Sequence, residues 1–221
     1  MKSLSKKSAT KWLLSSAIAS TLIFTLAGCS NTEEENPKLE KTSDASVTEP
    51  TDYVPASADG PAQNVPEPRL PAVATENTEE GAQAALEYFW EAAQYVRLTG
   101  ETKPLAQISS KDCDFCNAFI KDWETTYKEG YWAVPEGEVT LSVADSWIGE
   151  DEKTGAHSAD VLFSVSEPLV VVYDADGQQL ESANIDPKED TEWFALLIFD
   201  ATSQRWNVDW IGLEELVSWE D

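Results

Sequence analysis

The chain has 221 residues, with 41 Asp+Glu against 15 Lys+Arg and a single histidine, giving a formal net charge of -26. That balance excludes a nucleic-acid binder, which needs Lys and Arg to neutralise phosphate, and a protein that lies flat on an anionic leaflet. Its plain consequence is solubility through self-repulsion; attraction of cations is the functional alternative.

Lys2, Lys6, Lys7 and Lys11 precede an apolar run from Trp12 to Thr25, and Leu26-Ala27-Gly28-Cys29 closes it. A positive start, an apolar stretch and small residues at its end form an export signal. The run is shorter than the roughly 20 apolar residues of a membrane span and is broken by Ser15, Ser16, Ser20 and Thr21. The Leu-Ala-Gly-Cys ending resembles the lipobox of bacterial lipoproteins. The resemblance implies that residues 1–28 are removed and that Cys29 carries a thioether-linked diacylglycerol, which places the protein on the extracytoplasmic face of the cell membrane. Two acyl chains anchor stably where one does so only marginally. Losing four lysines leaves 11 basic residues against 41 acidic ones, a charge of -30.

From residue 29 to residue 76 large apolar residues are scarce, and seven prolines from Pro37 to Pro71 alternate with acids. A segment of this composition cannot bury enough surface to offset its conformational entropy, and it is expected to form a disordered tether. Extended as polyproline II, it would reach on the order of 100 Å.

The folded part is expected over 77–221. Asn77 or Thr78 can cap a helix whose first turn holds Glu79 and Glu80. Ala82, Leu86, Phe89, Ala93 and Val96 recur at helical spacing, and Thr99-Gly100 supplies the stop. After a connection containing Pro104, Ser109-Ser110 opens a second helical pattern through Cys116, Phe119, Ile120, Trp123 and Tyr127.

The period then changes to two. Val139, Leu141 and Val143 mark a strand, and residues 157–173 read as one long strand or two broken near Pro168. Asp176-Gly177 is a turn signal, Asp186 to Glu192 a charged loop, and Glu192 to Asp200 a central strand. Ala201 to Gln204 form a tight connection into a last strand on which Trp206, Val208 and Trp210 alternate with polar residues. Helices followed by antiparallel strands indicate an α+β fold, with the helices packed on one face of the sheet.

The proline-rich segment, Glu79-Glu80-Gly81-Ala82, the aromatic Tyr88-Phe89-Trp90, Thr99-Gly100-Glu101, Leu105, Cys113-x-x-Cys116 and the final Trp206-x-Val208-x-Trp210 together resemble an uncharacterised family of actinobacterial lipoproteins. The resemblance implies an NTF2-like (cystatin-like) cone, with helices lying in a curved antiparallel sheet. It brings no catalytic residues and no cofactor.

Cys113 and Cys116 are the one constellation with distinctive spacing. In an oxidising compartment, with Cys29 lipidated, they are expected to pair as a structural disulfide. The alternatives are a redox dithiol, disfavoured by Asp112 and Asp114, and a metal site, for which the domain adds only His157. His157 follows an acidic loop and has no partner in sequence to make it a general base. The tryptophans are numerous for the domain's size, and NTF2-like cones often hold an aromatic-lined cavity; Trp90 and Trp193 are the residues expected to line it for a small apolar ligand. The expected function is therefore a lipid-anchored, non-enzymatic domain that binds a ligand or an envelope protein, without metal. The alternatives are an acid/base enzyme of the cyclase or dehydratase type and a structural accessory of a membrane complex.

Overall fold

A computed structural model describes residues 52–150 and 155–213. The signal segment, Cys29, the first part of the expected tether and Trp219 lie outside the described residues. Among the described residues three α-helices precede the strands: α1 (Glu79–Thr99), α2 (Lys103–Ile108) and α3 (Asp114–Lys128). Six strands follow: β1 (Trp132–Pro135), β2 (Thr140–Glu150), β3 (His157–Glu167), β4 (Val170–Tyr173), β5 (Lys188–Asp200) and β6 (Arg205–Leu213). The strands make an antiparallel four-stranded sheet in the order β2-β3-β5-β6 and an antiparallel pair of β1 with β4. The fold is α+β with open sheets. No described helix is long and apolar enough to cross a membrane.

α1 follows its sequence signals. Thr78 Oγ1 accepts from Gly81 N at 3.0 Å, Glu79 and Glu80 occupy the first turn, and Gly100 ends the helix in the left-handed region at φ 72°. At Gly100 glycine is required twice over, because a Cβ there would also stand 2.5 Å from Tyr127 Cγ. The buried face of α1 carries Leu86, Phe89 and Val96 against the β3 residues Val161, Phe163 and Val165. Burying side chains of this size contributes about 1.5–3 kcal/mol each.

The second helical pattern divides differently from its sequence reading. Residues 103–108 form α2, because proline is tolerated in a first helical turn. Ser109-Ser110 does not start a helix; Ser110 N donates to Val208 O of the edge strand β6 at 2.8 Å. Cys113 caps α3 instead. Residues 157–173 do break at Pro168, and the two pieces go to different sheets. β5 begins at Lys188, inside the segment expected to be a loop.

Two of the sheet's three register shifts reset the faces of its outer strands. The register shifts between Val143 and Asp145 on β2, and between Leu196 and Leu197 opposite Asp209 on β6. Each extra residue moves everything beyond it to the other face. Trp206 and Val208 therefore point to the helices, whereas Trp210 pairs with Leu196 on the opposite face. The sequence pattern had put all three together.

The domain starts earlier than Asn77. Residues 52–76 lie on it as a strap: Val54 bridges Gln63, Leu70 packs on the core and Ala74 is fully buried in a short 3-10 turn. Trp132 Nε1 donates to Ser57 O, and Trp206 Nε1 donates to Glu76 O, both at 2.8 Å. Proline-restricted backbone has less entropy to lose, and the buried indoles supply the donors its carbonyls need.

Candidate functional site

Trp90, Gln94 and Arg97 fall at i, i+4 and i+7 on α1 and so share one side of it. That side faces β5 and the aromatic row Phe115, Phe119 and Trp123 of α3. The Trp90 ring meets Trp193 of β5 edge-on, centroids 5.7 Å apart, and Phe115 meets the same Trp193 at 5.4 Å. The two tryptophans expected to line a site are therefore in contact, and both are buried.

At the far end of this seam, Arg97 Nη2 donates to Glu167 Oε1 at 2.9 Å, and Lys188 Nζ stands 3.9 Å from Glu167 Oε2. The Arg97 guanidinium lies 5.6 Å from the centre of the Phe119 ring and 5.9 Å from that of Trp123, within cation–π range. Tyr127 OH donates to Arg97 O at 2.9 Å, and burial pushes this phenol well above its ordinary value.

The seam has more donors than acceptors. Trp90 Nε1, Gln94 Nε2, Arg97 Nε and Trp193 Nε1 are all buried, and none has a hydrogen-bond partner among the described residues. A buried donor without a partner costs about 1–3 kcal/mol, so four along one seam are an unusual concentration. Grooves open at both of its ends. One, of about 380 Å³, is lined by Asp114, Phe115, Trp193, Trp210 and Ile211. The other, of about 430 Å³, is lined by Phe119, Asp122, Trp123, Glu129, Tyr131 and Ile185. Trp193 thus lines a groove, whereas Trp90 lies behind it in the filled interior.

Cys113 and Cys116 are joined, with S–S 1.97 Å, at the start of α3. Cys113 Sγ also accepts from Cys116 N at 3.2 Å, so the pair caps the helix and holds Phe115, which lies between them, against Trp193. His157 stands at the opposite end of β3 from Glu167, roughly 30 Å along the strand. It pairs in register with Glu150 and lines neither groove. Among the described residues no cluster of three or more His, Cys, Asp or Glu is placed to hold a metal.

Gln94, Arg97 and Glu167 were missed in the sequence. The available signal was Arg97 itself, the only basic residue between Arg69 and Lys103, one position beyond the last apolar residue of the α1 stripe.

Residues 51–210 match a family of unknown function, DUF6318, and the chain belongs to that family. The match begins with the strap, not with α1. No curated protein matches the chain.

Proposed function

We propose that this DUF6318 protein is lipid-anchored through Cys29 on the extracytoplasmic face of the cell membrane. Its domain, an NTF2-like cone in this reading, binds without catalysis a small, largely apolar molecule that carries a carbonyl or carboxylate acceptor. The observation that supports this is the row of unpaired buried donors running from Trp193 and Trp90 to Arg97, with a groove at each end. Ligand sites of a few hundred Å³, mostly aromatic with a few converging polar groups, have this character. An acceptor placed at the indoles would relieve two unmet donors and leave the aromatic walls to hold the apolar body.

An acid/base enzyme is less well supported. The inward carboxylate, Glu167, is held by Arg97 and Lys188, and His157 is out of its reach.

The test is the indole region of a proton–nitrogen correlation spectrum, with the Trp90 and Trp193 signals assigned by Trp→Phe variants. Aromatic carboxylates, lactones and medium-chain fatty acids are the probes. A ligand should shift both signals together and saturably, leaving the Trp147 signal in place. If no probe moves them, or if both indoles already show exchange with a tightly held water that no probe displaces, the binding role is wrong. The anchor has its own test. Cys29→Ala should abolish the diacylglycerol mass increment and release the protein from the membrane fraction; an unchanged mass and fraction would refute it.

A further inference from the structure

The face of the large sheet turned away from the helices carries an aromatic ladder. Trp147 of β2 meets Phe194 of β5 at 6.2 Å between centroids, and Phe194 meets Trp210 of β6 at 6.0 Å. Leu162, Leu196 and Ile198 share this face by register and are half-buried. Phe194 is 1% exposed, yet its neighbour Trp147 is 38% exposed, among the most exposed large apolar side chains described. Both outer tryptophans reach the face only because a bulge precedes each of them. The Trp210 ring also folds over Gly212, where a Cβ would stand 2.8 Å from its Cη2. Two bulges and a close-approach glycine set this apolar strip on the outside.

The charges around the strip are acidic except at one hairpin end. Asp145 stands opposite Leu162, Asp160 opposite Trp147, and Glu192 opposite Ser164, all on the same face. Trp147 donates to the Asp160 carboxylate, which ties the indole to the neighbouring strand β3. Arg205 is the one basic residue that the register places on this face, at the far hairpin end opposite Asp200.

We infer that this outer face docks an amphipathic segment of another protein, one with an apolar stripe flanked by Lys and Arg. Charge complementarity selects that occupant. A second copy would set Asp145, Asp160 and Glu192 against their own like in a chain of charge -26. Anionic lipid and nucleic acid are opposed by the same acids. The aromatic centre supplies the anchors, and the acidic rim supplies orientation and partner choice. Trp210 also lines the groove beside Trp193 at one end of the seam, whereas Trp147, Asp145, Asp160 and Glu192 lie away from it, and the test rests on those.

The experiment titrates the full processed chain into a fluorescein-labelled amphipathic helix of leucine and lysine, followed by anisotropy. A scrambled peptide of the same composition serves for comparison. Trp147→Ser, and separately Asp145→Lys with Glu192→Lys, should each weaken binding by about tenfold or more. Glu80→Lys with Glu87→Lys, on exposed positions of α1, makes the same change of charge and should weaken it less than about threefold. Equal losses in the two charge-reversed proteins, or equal affinity for the scrambled peptide, would reduce the effect to general electrostatics and overturn the inference. It is also overturned if the chain proves to be a dimer by light scattering and Trp147→Ser makes it monomeric.

Discussion

Arg97 Nη2 lies 2.9 Å from Glu167 Oε1, and the two side chains are 3% and 7% exposed. The pair joins the last turns of α1 to the end of β3 across 70 residues of sequence. Removing one partner leaves a buried charge alone. Glu167→Ala is expected to lower stability by about 3–5 kcal/mol, whereas Arg97→Met with Glu167→Leu recovers most of that loss. Urea midpoints of Glu167→Leu alone, Arg97→Met alone and the double measure it; additive losses would show that the pair does not act as a unit.

Gly100→Ala should cost about 3 kcal/mol. A left-handed alanine alone costs about 1–2 kcal/mol, and here its Cβ would strike the Tyr127 ring, which is held by a bond to Arg97 O. Gly155→Ala is the matched control. Its φ of +69° is similar, but the nearest atom, Glu150 Oε1, is 3.8 Å away. If thermal unfolding showed equal losses for the two, contact with Tyr127 would be irrelevant.

Reducing the Cys113–Cys116 bond should have a small effect. A closed loop of four residues contributes about 2 kcal/mol on the chain-entropy model, so the midpoint should fall by roughly 5 °C. Because Phe115 lies between the cysteines, the Trp193 indole resonance should move on reduction. A bridged protein isolated without reductant should show no free thiol by alkylation mass; finding two would sink the structural assignment.

Burial holds the Asp160 carboxyl above the ordinary carboxylate range, against a smaller opposite influence from the Trp147 indole. In the interval between the ordinary and the raised value, the native chain keeps a proton that the unfolded chain has released. This residue's contribution to stability therefore falls as pH rises through that interval and stays unfavourable above it. Asp160→Asn should melt higher than the parent protein at neutral pH and converge with it below about pH 4. An equal difference at both pH values would contradict this.

The strap makes a prediction about boundaries. A chain beginning at Asn77 loses the cover of Ala74 and leaves the indoles of Trp132 and Trp206 without Ser57 O and Glu76 O. It should be less stable than a chain beginning at Asp52 by about 2 kcal/mol or more. Equal denaturation midpoints would show the strap to be passive.

What the sequence disclosed was whatever repeats locally. α1 was legible because its apolar spacing runs unbroken between Thr78 and Gly100, two residues that mark their own ends. Single inserted residues left no such trace. Ala144 and Asp209 look ordinary, yet they decide which face receives Trp147 and Trp210. The strap was hidden for a related reason, since its anchors are carbonyls whose donors lie 75 and 130 residues away. Of the seam, Trp90 and Trp193 were found as large aromatics, but the Arg97–Glu167 pairing depends on a fold that brings distant ends together. The match to a family of unknown function places the chain among its relatives without adding chemistry.

The strap also determines how the molecule bears load. A pull on the chain ahead of Asp52 does not act first on α1. It reaches the Val54–Gln63 bridge and then the two indole-to-carbonyl bonds, which it meets one after another along the chain. Those attachments would yield in sequence under tension, while the core beneath α1 stays closed. Tension applied ahead of Asp52 would thus draw length from the strap before it reached α1.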